Sequence, residues 1–358
     1  MDTKGYLLQH AARYPAMELD DCVKLLYQSE FAGGHIIRDE AHRLLYLQEE
    51  AAAAPPAEGP LFEPIGSGVC RLHLGAMAAG GLTPWLANRF FVLTAAENKG
   101  SRRAFEGKLD ALQQLCDGGE LPYSGGECRA FLADYRRRGC PAIHHSAAFR
   151  QAYGPHYRVV SQAFAQLCGA FVWVEGRLRG QNAPVLAIDG CSGSGKSYLA
   201  ERLTKVYGNG TVHMDDFFLQ PGQRTPQRLA EPGGNIDYER FEAQVLPKLA
   251  QRRDFCYQAF DCGTMALGDK RTVAARPFTL VEGVYAMHPR FRSAYDGALF
   301  LKLPREKQLE RIARRSGPLL ERFEREWIPL EDRYFAAFDV EAACDAAIDT
   351  SGESGAGL

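Results

Sequence analysis

"DGCSGSGKSYLAERL", residues 189–203, sets three glycines and two serines directly ahead of a lysine, where neither a helix nor a strand favours them. Upstream, "PVLAID" (184–189) is a short apolar run. Downstream, "KSYLAERLTKVYG" (196–208) repeats Leu199, Leu203 and Val206 at helical spacing before Gly208 stops it. The order is strand, loop, helix. Gly190, Gly195, Lys196 and Ser197 match G-x-x-x-x-G-K-[ST] without a gap, in the context that gives the motif meaning. Glycines let successive backbone N–H groups converge on phosphate oxygens, and the helix N-terminus adds partial positive charge. The loop Gly190, Cys191, Ser192, Gly193, Ser194, Gly195, Lys196 and Ser197, with Tyr198 beside it, is therefore expected to hold the phosphates of ATP. Lys196 would reach the β and γ phosphates and the Ser197 hydroxyl would ligate Mg2+. A dinucleotide fingerprint would need a glycine where Tyr198 stands, and no N-K-x-D guanine signature occurs.

Around this loop the apolar runs "TVHMD" (211–215), "FTLVEGVYA" (278–286) and "ALFLKL" (298–303) alternate with helical stretches such as "YERFEAQVLPKLAQR" (238–252). Residues 183–350 thus read as an α/β domain with a mainly parallel sheet and helices on both faces. "HMDDFFL" (213–219) puts Asp215 and Asp216 at the end of a strand. Next to a γ-phosphate, such a pair suits a kinase, because one acid can accept the proton of an attacking hydroxyl; the same acids would also serve as turn caps. In "LERIARR" (309–315), Arg311, Arg314 and Arg315 fall at i, i+3 and i+4, on one helix face. That face either closes on phosphates or is a solvated basic surface paired with Glu310 or Glu321.

Residues 1–178 read as a mostly helical domain. Ser101 and Gly118 bracket a helix with Phe105, Leu109, Leu112 and Cys116 on one face, Thr83-Pro84 starts another, and Ser124 with Glu127 has capping-box spacing. "AAAAPPAEGP" (51–60) reads as an exposed loop, "EGRLRGQNAP" (175–184) as a linker, and 351–358 as a disordered tail. "EFAGGHIIRD" with His35, Arg38 and Asp39, "CRLHLG" with Arg71 and His73, "NRFFVLTAAENKGS" with Asn88, Arg89, Asn98 and Lys99, and "HHSAAFRQAYGPHYRVV" (144–160) with His144, His145, Arg150, Tyr153, His156, Tyr157 and Arg158 are polar clusters that suggest either a second ligand pocket or surface and satisfied core residues; no H-x-x-x-H or H-E-x-x-H spacing argues for a metal there. Residues 1–180 hold 19 basic and 19 acidic residues, leaving 23 and 25 for the rest, so neither half has the cationic excess of a nucleic-acid partner. No apolar stretch is long enough to span a bilayer and no signal layout opens the chain, so a cytoplasmic location is expected. The ten cysteines include no C-x-x-C pair and are expected to be mostly buried thiols.

As a set, "GCSGSGKS", "DDFF", "NIDYERF", "CYQAFD", "LVEGVYAM" and "LERIARR" resemble the uridine kinase and phosphoribulokinase family of P-loop kinases over residues 183–350. The resemblance implies that Asp215 is the general base, with Lys196, Arg311 and Arg314 as its catalytic companions and Arg315 on the ATP side of a mobile lid. It further implies that Asp237 holds the acceptor's hydroxyls, that Tyr257 lines its pocket and that Glu282 is a magnesium-associated carboxylate. Asp216, the second acid of the pair, and Arg240 are expected on the acceptor side as well, Arg240 holding a phosphate or carboxylate of the acceptor or serving a turn or the surface. Members that act on uridine or cytidine carry a base-reading histidine soon after the pocket tyrosine, and "YQAFDCGTMALGD" (257–269) has none. Arg224, Arg228 and Asp261 are alternative contacts for a different substrate. The expectation is an ATP- and magnesium-dependent kinase acting on a small hydroxyl-bearing metabolite, the alternative being a nucleotide-dependent regulatory or binding protein.

Overall fold

The computed structural model describes residues 1–33, 40–56 and 59–352. His35, Arg38 and Asp39 lie outside them, as does the tail beyond residue 352. The chain divides into two compact units, Met1–Ala165 and Gln166–Leu358.

The first unit contains the helices α1 (Thr3–Arg13), α2 (Leu19–Phe31), α3 (Glu40–Ala53), α4 (Pro84–Glu97), α5 (Arg102–Asp117), α6 (Gly125–Arg137) and α7 (Ala147–Tyr153). Their starts follow local chemistry. Thr83 Oγ1 accepts from Leu86 N with Pro84 at the first helical position, Ser101 Oγ accepts from Ala104 N, and Ser124 and Glu127 form the reciprocal capping box. On α5, Phe105, Leu109 and Leu112 are fully buried, as their spacing requires. Residues 51–53, expected in a loop, continue α3. The unit also holds a sheet that helical periodicity did not reveal: β1 (Phe62–Gly66), β2 (Val69–His73) and β3 (Tyr157–Ser161), antiparallel in that order. Ser67 and Gly68 make the β1–β2 turn with φ of 51° and 71°, the left-handed pair that a two-residue hairpin needs.

Helix α8 (Gln162–Leu178) runs through the first four residues of the expected linker. Its C-terminal half packs within the second unit, where the Phe171 ring lies 6.3 Å from that of Tyr207 and Arg177 pairs with Asp345 at 3.1 Å.

The second unit is built on β4 (Val185–Gly190), β5 (Gly210–His213), β8 (Thr279–Glu282), β9 (Gly297–Lys302) and β10 (Ala346–Asp349), with an antiparallel hairpin, β6 (Phe255–Asp261) and β7 (Ala266–Val273), apart from them. The five-stranded sheet runs β10-β9-β4-β8-β5 and is parallel throughout. Every residue of β4 and β8 is buried, which explains why these strands read as continuous apolar runs rather than alternating ones. The chain goes from β4 outward to β5, returns to β8, and then crosses to β9 on the other side of β4. That reversal opens a crevice beyond the C-terminal end of β4, the place where open parallel sheets bind ligands. It is the α/β P-loop fold expected from residues 183–350.

Among its helices are α9 (Lys196–Tyr207), α10 (Pro226–Ala230), α11 (Tyr238–Gln244), α12 (Leu246–Gln251), α13 (Arg305–Ser316), α14 (Leu320–Arg322) and α15 (Ile328–Phe338). The stretch 238–252, expected as one helix, breaks at Val245 because Pro247 has no N–H to donate and opens α12 instead. Six of the ten cysteines are buried and all ten are free thiols.

Candidate active site

The loop between β4 and α9 lies at that crevice. Gly190, Gly193 and Gly195 have φ of 147°, 81° and 92°. At Gly190 a Cβ would sit 2.4 Å from the Leu301 carbonyl oxygen on β9, so position and conformation both demand glycine. Lys196, 7% exposed, folds inward and donates from Nζ to the carbonyls of Gly190 (2.8 Å) and Cys191 (2.9 Å). The guanidinium of Arg202 lies 5.1 Å from the Tyr198 ring centre.

Strand register brings the next groups in. Both Ile188 of β4 and His213 of β5 pair with Glu282 at the end of β8. Ser197 Oγ donates to Glu282 Oε2 at 3.3 Å, and His213 Nδ1 lies 2.5 Å from Glu282 Oε1. That hydrogen bond, outweighing burial, raises the His213 pKa above its ordinary value. Asp215 is the second residue of the helical turn Met214–Phe217 that follows β5. It reaches solvent but is crowded by protein, and desolvation first, then the charge of Glu282, raises its carboxyl above the usual aspartate range despite the attraction of Lys196. The phosphate loop, Lys196, Ser197, Glu282 and Asp215 are thus assembled from three adjacent strand ends.

The expected substrate contacts form a second set. Asp216 is buried and its carboxylate is engaged internally, accepting from the Tyr257 hydroxyl at 2.5 Å and pairing with Arg271 at 3.0 Å. Tyr257 is itself buried, and Asp237 caps α11 through Arg240 N at 3.0 Å. The Arg240 guanidinium donates to the carbonyls of Gln258 (2.6 Å) and Asp216 (2.5 Å) and lies over Phe217. These four residues brace the segment that carries Asp215. Arg228 is likewise a brace, donating to the Gly234 and Ile236 carbonyls and to both oxygens of Glu239. Arg224 holds the Leu219 carbonyl and Asp261 caps a turn at Gly263.

Arg311, Arg314 and Arg315 of α13 do not act together here. Arg311 is buried and donates to Gly193 O at 3.3 Å and to the Thr350 carbonyl, so it ties the phosphate loop to the end of β10. Arg314 and Arg315 are exposed, and Arg315 Nε donates to Ser316 Oγ at 3.4 Å.

Two buried acids escaped the sequence reading. Asp189, fully buried, accepts from Gly190 N (2.7 Å), Met287 N (2.9 Å) and the Tyr334 hydroxyl (2.8 Å); burial nevertheless raises it to about 6. Glu331 on α15 accepts from Ser192 N at 3.0 Å and from the Ser192 hydroxyl, and burial raises its pKa too. The available signal was an acid closing an apolar strand, in "AIDG", and one inside an apolar helix, in "WIPLEDRYF".

No protein-family model and no curated protein matches the chain. Among solved structures it is similar to a possible uridine kinase from Bacillus stearothermophilus, at 22% identity and a TM-score of 0.38, over 49% of this chain and 100% of that one. It is also similar to a candidate fructose transport system kinase from Silicibacter sp. TM1040, at 20% identity and a TM-score of 0.42, over 51% of this chain and 98% of that one.

Proposed function

We propose that the second unit is an ATP-dependent kinase that moves the γ-phosphoryl group to a hydroxyl of a small metabolite. The observation that carries this reading is Asp215: a carboxylate with a raised pKa, open to solvent, next to the Ser197–Glu282 pair and within the field of Lys196. A base in that position takes the proton from an acceptor alcohol as its oxygen attacks phosphorus. The donor set fits magnesium-bound nucleotide. Ser197 and Glu282 offer hard oxygen ligands 3.3 Å apart, and the glycine-shaped loop presents backbone N–H groups at a helix N-terminus. When bound, magnesium neutralises charge on the phosphoryl oxygens. Lys196 exchanges its two backbone carbonyls for phosphate oxygens, and Arg314 and Arg315 approach the phosphates from α13 if that helix closes. Asp216, Tyr257, Asp237 and Arg240 hold the floor of the acceptor side rather than touching the acceptor. The absence of a histidine after Tyr257 argues against uridine.

The test is a screen of nucleosides, sugars, vitamins and phosphorylated sugars for acceptor-dependent ADP release by the full chain. The proposal expects one class to give turnover that Asp215→Asn removes. Failure of every acceptor, or turnover that survives in Asp215→Asn, rejects it.

A further inference from the structure

The first unit contains a buried polar network centred on His145. Arg71, 3% exposed, donates to Gln28 Oε1 at 3.2 Å and lies 4.6 Å from the centre of the Tyr157 ring. Gln28 Nε2 donates to the Tyr157 hydroxyl at 3.1 Å, and that hydroxyl is 2.5 Å from His145 Nε2. His145 Nδ1 is 2.6 Å from Asp21, which also accepts from Ser146 N at 3.1 Å. Burial disfavours a charged Asp21, but the hydrogen bonds from His145 and Ser146 outweigh it and lower its pKa, so Asp21 is ionised. An ionised Asp21 calls for a proton on Nδ1 of His145, and burial keeps the imidazole neutral by lowering its pKa. Nε2 then accepts from the Tyr157 O–H. The Tyr157 hydroxyl also lies 3.2 Å from Gln28 Oε1, so the Tyr157 and His145 rings are held by hydrogen bonds at both ends of the relay.

Those rings line an open cavity of about 390 Å³ that is also lined by Lys24, Tyr27, Phe91 and Arg158. Arg158 has a carboxylate partner, Glu50 at 2.8 Å. Lys24 differs. Its ammonium donates to the Ile143 carbonyl at 3.0 Å, and among the described residues no carboxylate lies within ion-pair distance. Burial, then the charge of Arg71, lowers its pKa to about 8 although Asp21 opposes the shift. A half-buried cation at a cavity wall, held by one neutral oxygen, gains most from an anion placed beside it. The Tyr27 and Phe91 rings supply apolar surface for the rest of such a molecule.

We propose that this cavity is a ligand site of the first unit for a small organic anion, a carboxylate or phosphate ester carried on an aromatic body. Lys24 is its charge partner, and the rigid Tyr157–His145 pair shapes the wall. The site is independent of the phosphate loop.

Saturation-transfer NMR on the full chain tests this with phenyl phosphate, benzoate and neutral benzamide. At least one anion should bind. Lys24→Gln should weaken it at least about tenfold, while Lys24→Arg and Lys196→Ala retain it, and the tighter anion distinguishes phosphate from carboxylate. No binding of either anion, equal binding of benzamide, undiminished binding in Lys24→Gln or loss in Lys196→Ala overturns the proposal. A melting curve shows whether Lys24→Gln is folded. If it is not, the 15N-labelled Lys24 ammonium resonance, assigned by its absence in Lys24→Arg, must shift as the bound anion is added, and an unmoved resonance overturns the proposal equally. The result is separable from the kinase reading, since Asp215→Asn should leave it unchanged.

Discussion

At the scale of the residue, the site is organised by carboxylates whose environments differ. Asp215 is raised by burial and by Glu282, which predicts an acidic limb in the pH profile of kcat/KM above the ordinary carboxylate range. Turnover rises with pH through that value as the base loses its proton. Asp215→Asn should lower kcat by about 10²- to 10⁴-fold and remove the limb, with nucleotide affinity nearly unchanged by calorimetry. Asp189 acts on stability instead. Its pKa is raised from 3.8 to about 6, so between those values the folded chain holds a proton that the unfolded chain has released. Its contribution to stability is therefore present below about pH 4 and is lost as pH rises to about 6. Urea titrations across that window should show a smaller decline in the Asp189→Asn variant. Gly190→Ala places a Cβ 2.4 Å from Leu301 O at a φ of 147°, and should abolish detectable nucleotide binding while lowering the melting temperature.

At the scale of the element, caps and anchors decide where helices start and what they hold. The Ser124–Glu127 box satisfies two N-terminal groups of α6, so Ser124→Ala should cost about 1 kcal/mol, read as a lower urea midpoint at unchanged m value. Arg311 is the anchor of α13. It faces inward because carbonyls of Gly193 and Thr350 wait there, one on the phosphate loop and one after β10. Arg311→Met should leave those acceptors without their donor, at about 1–3 kcal/mol by denaturation, and should loosen the loop enough to weaken ATP binding. Helical spacing rightly placed Arg311, Arg314 and Arg315 on one turn. Which of them turns inward depended on partners that spacing does not contain.

At the scale of the whole molecule, the chain folds as two compact units, and the two proposed sites predict that ligands report on them separately. Magnesium-ATP at 100 times its Kd should stabilise the full chain by about 2.7 kcal/mol, visible as a rise in melting temperature that Lys196→Ala removes. From the sequence alone came the phosphate loop, the parallel α/β unit around it, the helices of the first unit and the position of Asp215. All of these are written in consecutive residues: a glycine run that needs positive φ, apolar periods of a strand or a helix, a cap three residues before its partner. Tertiary structure alone decided the partners of Asp216, Glu331 and Lys24 and the existence of the small sheet in the first unit. Glu331 meets Ser192 across 139 residues and Tyr257 meets Asp216 across 41. Whether an acid stays ionised, braces a neighbour or faces a cavity is set by which groups folding brings within a few ångströms and how much water it removes, and neither quantity is local in the chain.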